Sequence, residues 1–306
     1  MTVTVDLLEE IVTPPKRGRD REARVARRSR RPDHIRAVIK HVSLILVGLV
    51  MIYPLLWMLS SSFKPDALIF RDPSLLPAEF DFSHYADGWN ALSHPFSLYL
   101  LNSAIIVLGS LIGNLLTCSM AAYAFARLEF RGRKLAFGVM LLTLMLPAQV
   151  VLIPQYVIFA NLEWVNTFLP LIVPKFLATD AFFIFLMVQF FRGLPREIDE
   201  AAKIDGAGYW RIYFRILLPL SVPALATTAI FTFIWTWNDF FSQLVYLTRP
   251  EMLTAPVALR NYVDATSGAS WGSLFAMSVI TLVPVFLVFL FGQRFLIRGI
   301  ATSGLK

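Results

Sequence analysis

Two groups of residues in this 306-residue chain have types and spacing that could do chemistry. The first is a charged stretch between Pro195 and Pro219 that contains Glu200, Ala201, Ala202, Asp205 and Gly206. The second is a set of polar side chains inside otherwise apolar runs: Asn102, Asn114, Gln149, Gln155, Lys175, Asp180, Gln189, Asn238, Asp239 and Gln243. Polar groups in hydrocarbon are costly, so each one is a functional hypothesis. Trp235 and Trp237 lie beside Asn238 and Asp239. An indole next to hydrogen-bonding groups suits a sugar, whose ring has apolar faces and polar edges. It equally suits an interfacial aromatic belt closed by a capping Asn-Asp. Lys175 and Asp180 either face a cavity or pair near the membrane interface. Gln149 and Gln155 sit beside Pro147 and Pro154. Broken helices line substrate paths, and Pro kinks also serve packing alone.

Catalytic constellations are missing from the sequence. There is no HExxH, no GxSxG and no paired carboxylate set on neighbouring apolar runs. The single Cys118 excludes an internal disulfide or a CxxC knuckle. No GxxxxGK[ST] loop is present, so the chain lacks that phosphate cradle.

The elements that must position these residues follow from composition. Apolar residues make up 57% of the chain, charged residues 16%, and mean hydropathy is +0.62. Soluble chains average about 45–50% apolar and about 25% charged. These figures argue against a soluble enzyme and exclude disorder outside the N-terminus. A bilayer core needs about 20 apolar residues per helix. Six runs are candidates, at about 38–62, 98–126, 135–158, 177–191, 216–245 and 274–297, the fourth short by itself. The fourth has a Pro-broken lead-in from Phe168. The expected fold is all-α, a polytopic membrane protein with six transmembrane helices. No internal repeat of an inverted-repeat transporter is evident.

Charge sets the orientation. Twenty-three of the 28 Lys and Arg residues fall in the N-terminal tail, the loops after the second and fourth runs, and the C-terminus. Lys64, Arg71, Arg249 and Arg260 occupy the opposite side. By the positive-inside rule both termini are cytoplasmic. Residues 1–36 read as a disordered basic tail, because they hold too little apolar surface to offset ordering entropy. The tail is either a solvated topology anchor or an arm for anionic lipid or nucleic acid. Residues 37–306 form the membrane domain.

The loop 193–219 stands apart. Six of the eleven residues Arg196–Gly206 are charged, which places the helix opened by Pro195 and closed by Gly206 outside the bilayer. Ile198, Ala201, Ala202 and Asp205 are expected on one face, small enough for close approach of another protein. A second amphipathic helix, 209–217, leads into the fifth run. A plain interfacial amphipathic loop has the same composition.

Glu200-Ala201-Ala202, Gly206, Ile216 and Leu218-Pro219, at these spacings, resemble the EAA loop of ABC importer permeases. The likeness continues through most of the chain. Tyr53-Pro54 with Ser60 to Lys64, Asn102-Ser103, Ala121 to Arg127, Pro147, Ile153-Pro154, Asp205-Gly206-Ala207, Trp237 to Phe240, Gln293 to Phe295 and Arg298-Gly299 resemble the carbohydrate importer permeases of MalG type. The basic tail is not part of that pattern.

The resemblance implies a type I ABC importer permease fold and a binding-protein-dependent importer of a sugar or oligosaccharide. Glu200, Ala201, Ala202, Asp205 and Gly206 would form a coupling helix docked on a cytoplasmic ATPase. Asn102, Gln149, Gln155, Lys175, Asp180, Trp235, Asn238 and Asp239 would line the substrate pathway. The implied partners are a second homologous permease, two cytoplasmic ABC ATPases, an extracytoplasmic substrate-binding protein and the lipid bilayer, with no nucleic acid. The chain itself would carry no cofactor and no metal; ATP and Mg would bind the ATPases. It would not be an enzyme. It would lie in a bacterial cytoplasmic membrane, and its C-terminus either reaches the ATPases or is a frayed topology anchor. Import of glycerol phosphate or a related polyol is the alternative within the family. An ion-coupled secondary transporter is the alternative class.

Overall fold

The computed structural model of the chain describes residues 16–263 and 270–303, with side chains for 35–147, 149–263 and 270–295. The first 15 residues of the expected basic tail, and Lys306 of the expected C-terminal arm, lie outside the described residues. Among those described, every regular element is helical. The chain divides into two units, Met1–Met58 and Leu59–Lys306.

The first unit holds nearly all of α1 (Lys16–Ser61). From Ile35 to Ser61 this helix offers 27 apolar-rich residues, and none of its most apolar window is buried. At 1.5 Å per residue that stretch is about 40 Å long, enough to cross a hydrocarbon core of about 30 Å. Leu44, Ile45, Val47 and Val50 are all more than half exposed. A helix apolar on every side is one that lipid or another apolar surface must cover.

The second unit opens with a loop that is tied down by buried charge. The Lys64 side chain is 1% exposed, and its ammonium donates to the carbonyls of Asp72 and Ser74 at 2.7 and 2.6 Å. The hydroxyl and N–H of Ser74 hold the Asp72 carboxyl below its ordinary range. Ser83 does the same for Asp81. Helix α2 (Ser83–Asn90) follows, with His84 buried against the start of the last helix.

The long helix α3 (Phe96–Arg127) is the centre of the unit. Its buried stripe runs through Tyr99, Ser103, Ile106, Ser110, Gly113, Asn114, Cys118, Ala122 and Ala126. These recur every three or four residues, and many are small. Small residues let neighbouring helices approach where no hydrophobic effect operates between them.

The third apolar run is two helices rather than one, α4 (Arg133–Thr143) and α5 (Ala148–Asn161). Pro147 separates them in an extended conformation, φ −60° and ψ 129°. Proline has no N–H to continue the ladder, and it pushes the preceding residue out of helical space. The fourth run is α6 (Leu169–Ile172), a 3₁₀ stretch Val173–Leu177, a left-handed Ala178 and α7 (Ala181–Gly193). Together Leu169–Gly193 make one candidate span of 25 residues.

The loop after α7 contains α8 (Glu197–Ile204), α9 (Tyr209–Ile212), a wide π turn Tyr213–Leu217 and α10 (Leu218–Leu220). The expected single helix 209–217 is therefore shorter and distorted. The fifth run bends by 75° between Tyr209–Leu220 and α11 (Val222–Trp237). Pro219 and Pro223 bracket the bend at Ser221 and remove two ladder donors. The chain then breaks again at Asn238 before α12 (Phe241–Tyr246). A short α13 (Ala255–Leu259) precedes the final α14 (Trp271–Ser303), which carries Pro284 inside it. Among the described residues four helices are long and apolar enough to span a membrane, or five if the bent pair is one span. The expected six runs are all present as helices, and the Pro147 break leaves the third as two pieces below spanning length.

Helix α3 packs on α7 and α11, α11 packs on α14, and α14 packs on α2. Two regions of this framework collect the polar residues: the turn beyond α7, and a cavity beside the start of α7.

Candidate functional site

At the first region, α8 is pinned to the end of α3. Arg127 and Asp199 form an ion pair at 3.3 Å, with side chains 3% and 12% exposed. A second guanidinium nitrogen of Arg127 donates to the Leu194 carbonyl at 2.9 Å. Ala202 is buried beside Phe191, Ile212 and Tyr213 in the same apolar cluster. The helix ends in a Schellman motif: Ala207 N–H bonds the Ala202 carbonyl at 2.9 Å, and Gly206 N–H bonds that of Lys203 at 3.0 Å. Gly206 holds φ +76°, a conformation that disfavours any residue with a Cβ.

This geometry corrects the expected face. Ala201 and Ala202 do not point the same way: Ala202 and Asp199 turn inward, while Glu200, Ala201 and Asp205 are exposed. The ion pair with Arg127 sets the inward direction between Asp199 and Ala202, and at about 100° per residue that carries Ala201 round to the outer side. The outward surface is broader than the sequence reading placed it. Around Gly206, Ile204 is 86% exposed, Trp210 62% and Phe214 50%. The Trp210 and Phe214 rings stack at 5.8 Å, and the Lys203 ammonium lies over Tyr209. The sequence reading passed over these aromatics; their density in 209–214 was the available signal. An apolar patch rimmed by charge marks an interaction surface.

The second region is a cavity of about 650 Å³. Six of the eight expected pathway residues line it: Gln155, Lys175, Asp180, Trp235, Asn238 and Asp239. They come from α5, the 3₁₀ stretch, the start of α7, the end of α11 and the break after it. Gln149 does not line it and is exposed on α5. Asn102 lies elsewhere, its amide donating to the carbonyls of Glu251 and Leu253 at 2.9 and 2.8 Å. That amide ties α3 to the connection before α13.

The cavity wall is built on α3. Lys175 donates to both Asp180 oxygens at 3.1 and 2.9 Å, and Asn114 donates to the same carboxylate at 2.6 Å. Asn114 also reaches Thr232 on α11 at 3.2 Å. The Thr117 hydroxyl holds the Lys175 carbonyl at 2.9 Å. A Cβ at Gly113 would stand 2.9 Å from the Lys175 backbone, so only glycine admits this approach. Of the two readings open for Lys175 and Asp180, the geometry joins both: they pair and they face the cavity.

Asn238 and Asp239 are also half committed. The Asn238 amide donates to the Ile234 carbonyl at 2.8 Å, and Asp239 accepts the Ser242 N–H at 3.1 Å, capping α12. Trp235 contacts Phe182 and Phe183 yet stays 49% exposed. Gln243 and Tyr246 complete the wall. Gln243 is 1% exposed and bonded on both sides, to the Thr236 carbonyl and the Thr254 hydroxyl. Tyr246 stood outside the sequence reading, although it lies three residues beyond Gln243 on the same helix. Among the described residues no group of His, Cys, Asp or Glu is arranged to hold a metal ion.

The chain is similar in sequence and fold to known proteins. The family described as the binding-protein-dependent transport system inner membrane component matches residues 113–301. The chain is 37% identical over 272 residues to the diacetylchitobiose uptake system permease protein NgcG of Streptomyces coelicolor, covering 89% of each chain. It is 34% identical over 270 residues to the sn-glycerol-3-phosphate transport system permease protein UgpE of Yersinia pestis, covering 86% of this chain and 95% of that one. Its fold is similar to a chain of a bacterial ABC transporter involved in the import of the acidic polysaccharide alginate. That match has a TM-score of 0.76 and 25% identity, over 86% of this chain and 97% of the other.

Proposed function

The chain belongs to the family of binding-protein-dependent transport system inner membrane components, and from that premise we propose that it forms half of the pathway by which a sugar or oligosaccharide crosses the membrane. It is an ABC transporter permease rather than an enzyme. ATP hydrolysis falls to two cytoplasmic ABC ATPases, which hold ATP and Mg. A second homologous permease completes the pathway, and an extracytoplasmic binding protein delivers substrate. Both termini are cytoplasmic, a reading supported by the Lys and Arg asymmetry.

The observation that carries the coupling role is the turn 193–219. Its charged helix is rigidly capped at Gly206 and clamped to α3 through Arg127 and Asp199, with exposed aromatics beside it. A lever that passes force between an ATPase and a membrane helix needs that rigidity. Glu200, Ala201, Asp205 and Gly206 meet the ATPase, while Ala202 anchors the helix from within. The sugar reading draws on the permease named for diacetylchitobiose uptake. The glycerol phosphate reading draws on the relative at 34% identity.

The test is purification of the tagged chain in detergent from its native host, followed by ATP hydrolysis with its binding protein across sugars and glycerophosphates. Copurification of an ATPase and stimulation by a sugar are expected. Stimulation by a glycerophosphate alone would overturn the sugar assignment. Absence of both an ATPase and hydrolysis would overturn the permease role.

A further inference from the structure

We propose that the cavity beside Lys175 is a subsite for an uncharged saccharide, in which Tyr246 and Asp239 bind hydroxyl groups and the wall's net negative charge excludes anions. The proposal rests on the permease reading above and deepens it by separating neutral from acidic substrates.

The argument starts from charge. Among the described lining residues the ionised groups are Lys175, Asp180 and Asp239. Lys175 is the cation an anionic substrate would need, and it is already taken. Both oxygens of Asp180 accept from its ammonium, and Asn114 fixes that carboxylate from behind. A phosphate or uronate would have to displace a carboxylate that the fold holds in place. It would also meet the unneutralised charge of Asp239. Lys175 and Asp180 are 27% and 24% exposed, so charges here are screened less than in bulk water and like-charge repulsion is selective.

The remaining chemistry suits a neutral sugar. The Tyr246 hydroxyl is buried and has no hydrogen-bond partner in the protein. A buried polar atom left unmatched calls for an explanation. Here that atom belongs to a residue of the cavity wall, and its ring is immobilised by stacking on Tyr156 and by the edge of Phe159. Asp239 spends one carboxylate oxygen on the Ser242 N–H. A carboxylate accepts several hydrogen bonds, so it can take sugar hydroxyls as well. The half-exposed indole of Trp235 offers an apolar face for the ring. At about 650 Å³ the cavity has the size of a small-molecule site.

The test is equilibrium binding to the detergent-purified permease–ATPase complex without its binding protein, so that delivery does not set selectivity. The probes are radiolabelled neutral disaccharides, each paired with its uronic acid counterpart of the same linkage. At least one neutral probe should bind, with its acidic counterpart about tenfold weaker or worse. Asp239→Asn should narrow that gap to about threefold or less, and Asp239→Glu should restore it. Tyr246→Phe should weaken the neutral probe by about three- to tenfold, the range of one neutral hydrogen bond. Equal binding of an acidic counterpart would overturn the proposal. So would an unchanged gap in Asp239→Asn, unchanged affinity in Tyr246→Phe, or no binding by any neutral probe. Each variant is scored only if it retains its ATPase partners and helical circular dichroism. Variants that fail this are replaced by Tyr246→Leu and Asp239→Ser, read by the same criteria. ATP hydrolysis by the wild-type complex judges the permease reading separately, because it does not depend on the cavity.

Discussion

The clamp between Arg127 and Asp199 makes the most quantitative demand on this structure. The two charges stand 3.3 Å apart with side chains 3% and 12% exposed. At an effective dielectric constant of about 20 their attraction is about 5 kcal/mol, most of it offset by the desolvation of both groups. Intact, the pair contributes little net stability. Broken, it leaves an uncompensated buried charge, at a cost of about 3–5 kcal/mol. Arg127→Met should therefore destabilise the chain by about 3 kcal/mol or more, since it also strips the Leu194 carbonyl of its donor. Arg127→Met combined with Asp199→Leu removes both charges and should cost only about 1–2 kcal/mol. Asp199→Leu alone should likewise cost about 3 kcal/mol or more, so the coupling energy of this cycle should be about 4 kcal/mol or larger in magnitude. The assay is reversible unfolding in mixed micelles by rising SDS, followed by far-UV circular dichroism. A single variant costing less than about 1 kcal/mol, or effects that add within about 0.5 kcal/mol, would refute the reasoning.

Other predictions follow from single positions. Gly206→Pro removes the N–H that bonds Lys203 and demands a negative φ where the chain holds +76°; the chain should still reach the membrane, while substrate uptake per ATP hydrolysed falls at least about tenfold. Normal substrate-stimulated transport by that variant would count against the coupling role. Gly113→Val drives side-chain atoms into the Lys175 backbone and the Phe176 ring; overpacking of this kind costs about 1–3 kcal/mol, to be read in the same SDS titration. Asp72 and Asp81 both have carboxyls held below the ordinary 3.8 by serine donors. Their contribution is complete above that value and is lost as pH falls through the lower folded value. Pepsin cleavage between residues 64 and 83, normalised to an unstructured peptide, should stay slow near pH 4 and rise steeply toward pH 2.

Much of the fold was legible because lipid imposes a simple rule. A segment crossing hydrocarbon must satisfy its own backbone, so apolar length alone announces a helix. Helix α3, expected over 98–126, spans Phe96–Arg127. The breaks were less legible. Pro147 was visible, yet whether it kinks a helix or splits it depends on what surrounds the freed groups. Within α8, the pattern Ile198, Ala201, Ala202 and Asp205 suggested one small face, and the choice of the inward side rested on Arg127, seventy residues earlier and invisible to any local pattern.

Residue type and position along the chain determined that this protein is a helical membrane protein, which loops carry positive charge, and that Glu197–Ile204 is a charged helix unlike the apolar runs around it. Those properties depend on transfer free energies and local propensities, which are written residue by residue. The tertiary structure alone decided that Gln155, Lys175, Asp180, Trp235, Asn238 and Asp239 share one cavity while Asn102 and Gln149 do not. It also decided that Lys175 is neutralised and that the Tyr246 hydroxyl is left without a partner. Such facts arise where distant segments meet across Gly113 and the left-handed turn at Ala178 before α7, and they depend on distances that no local pattern encodes.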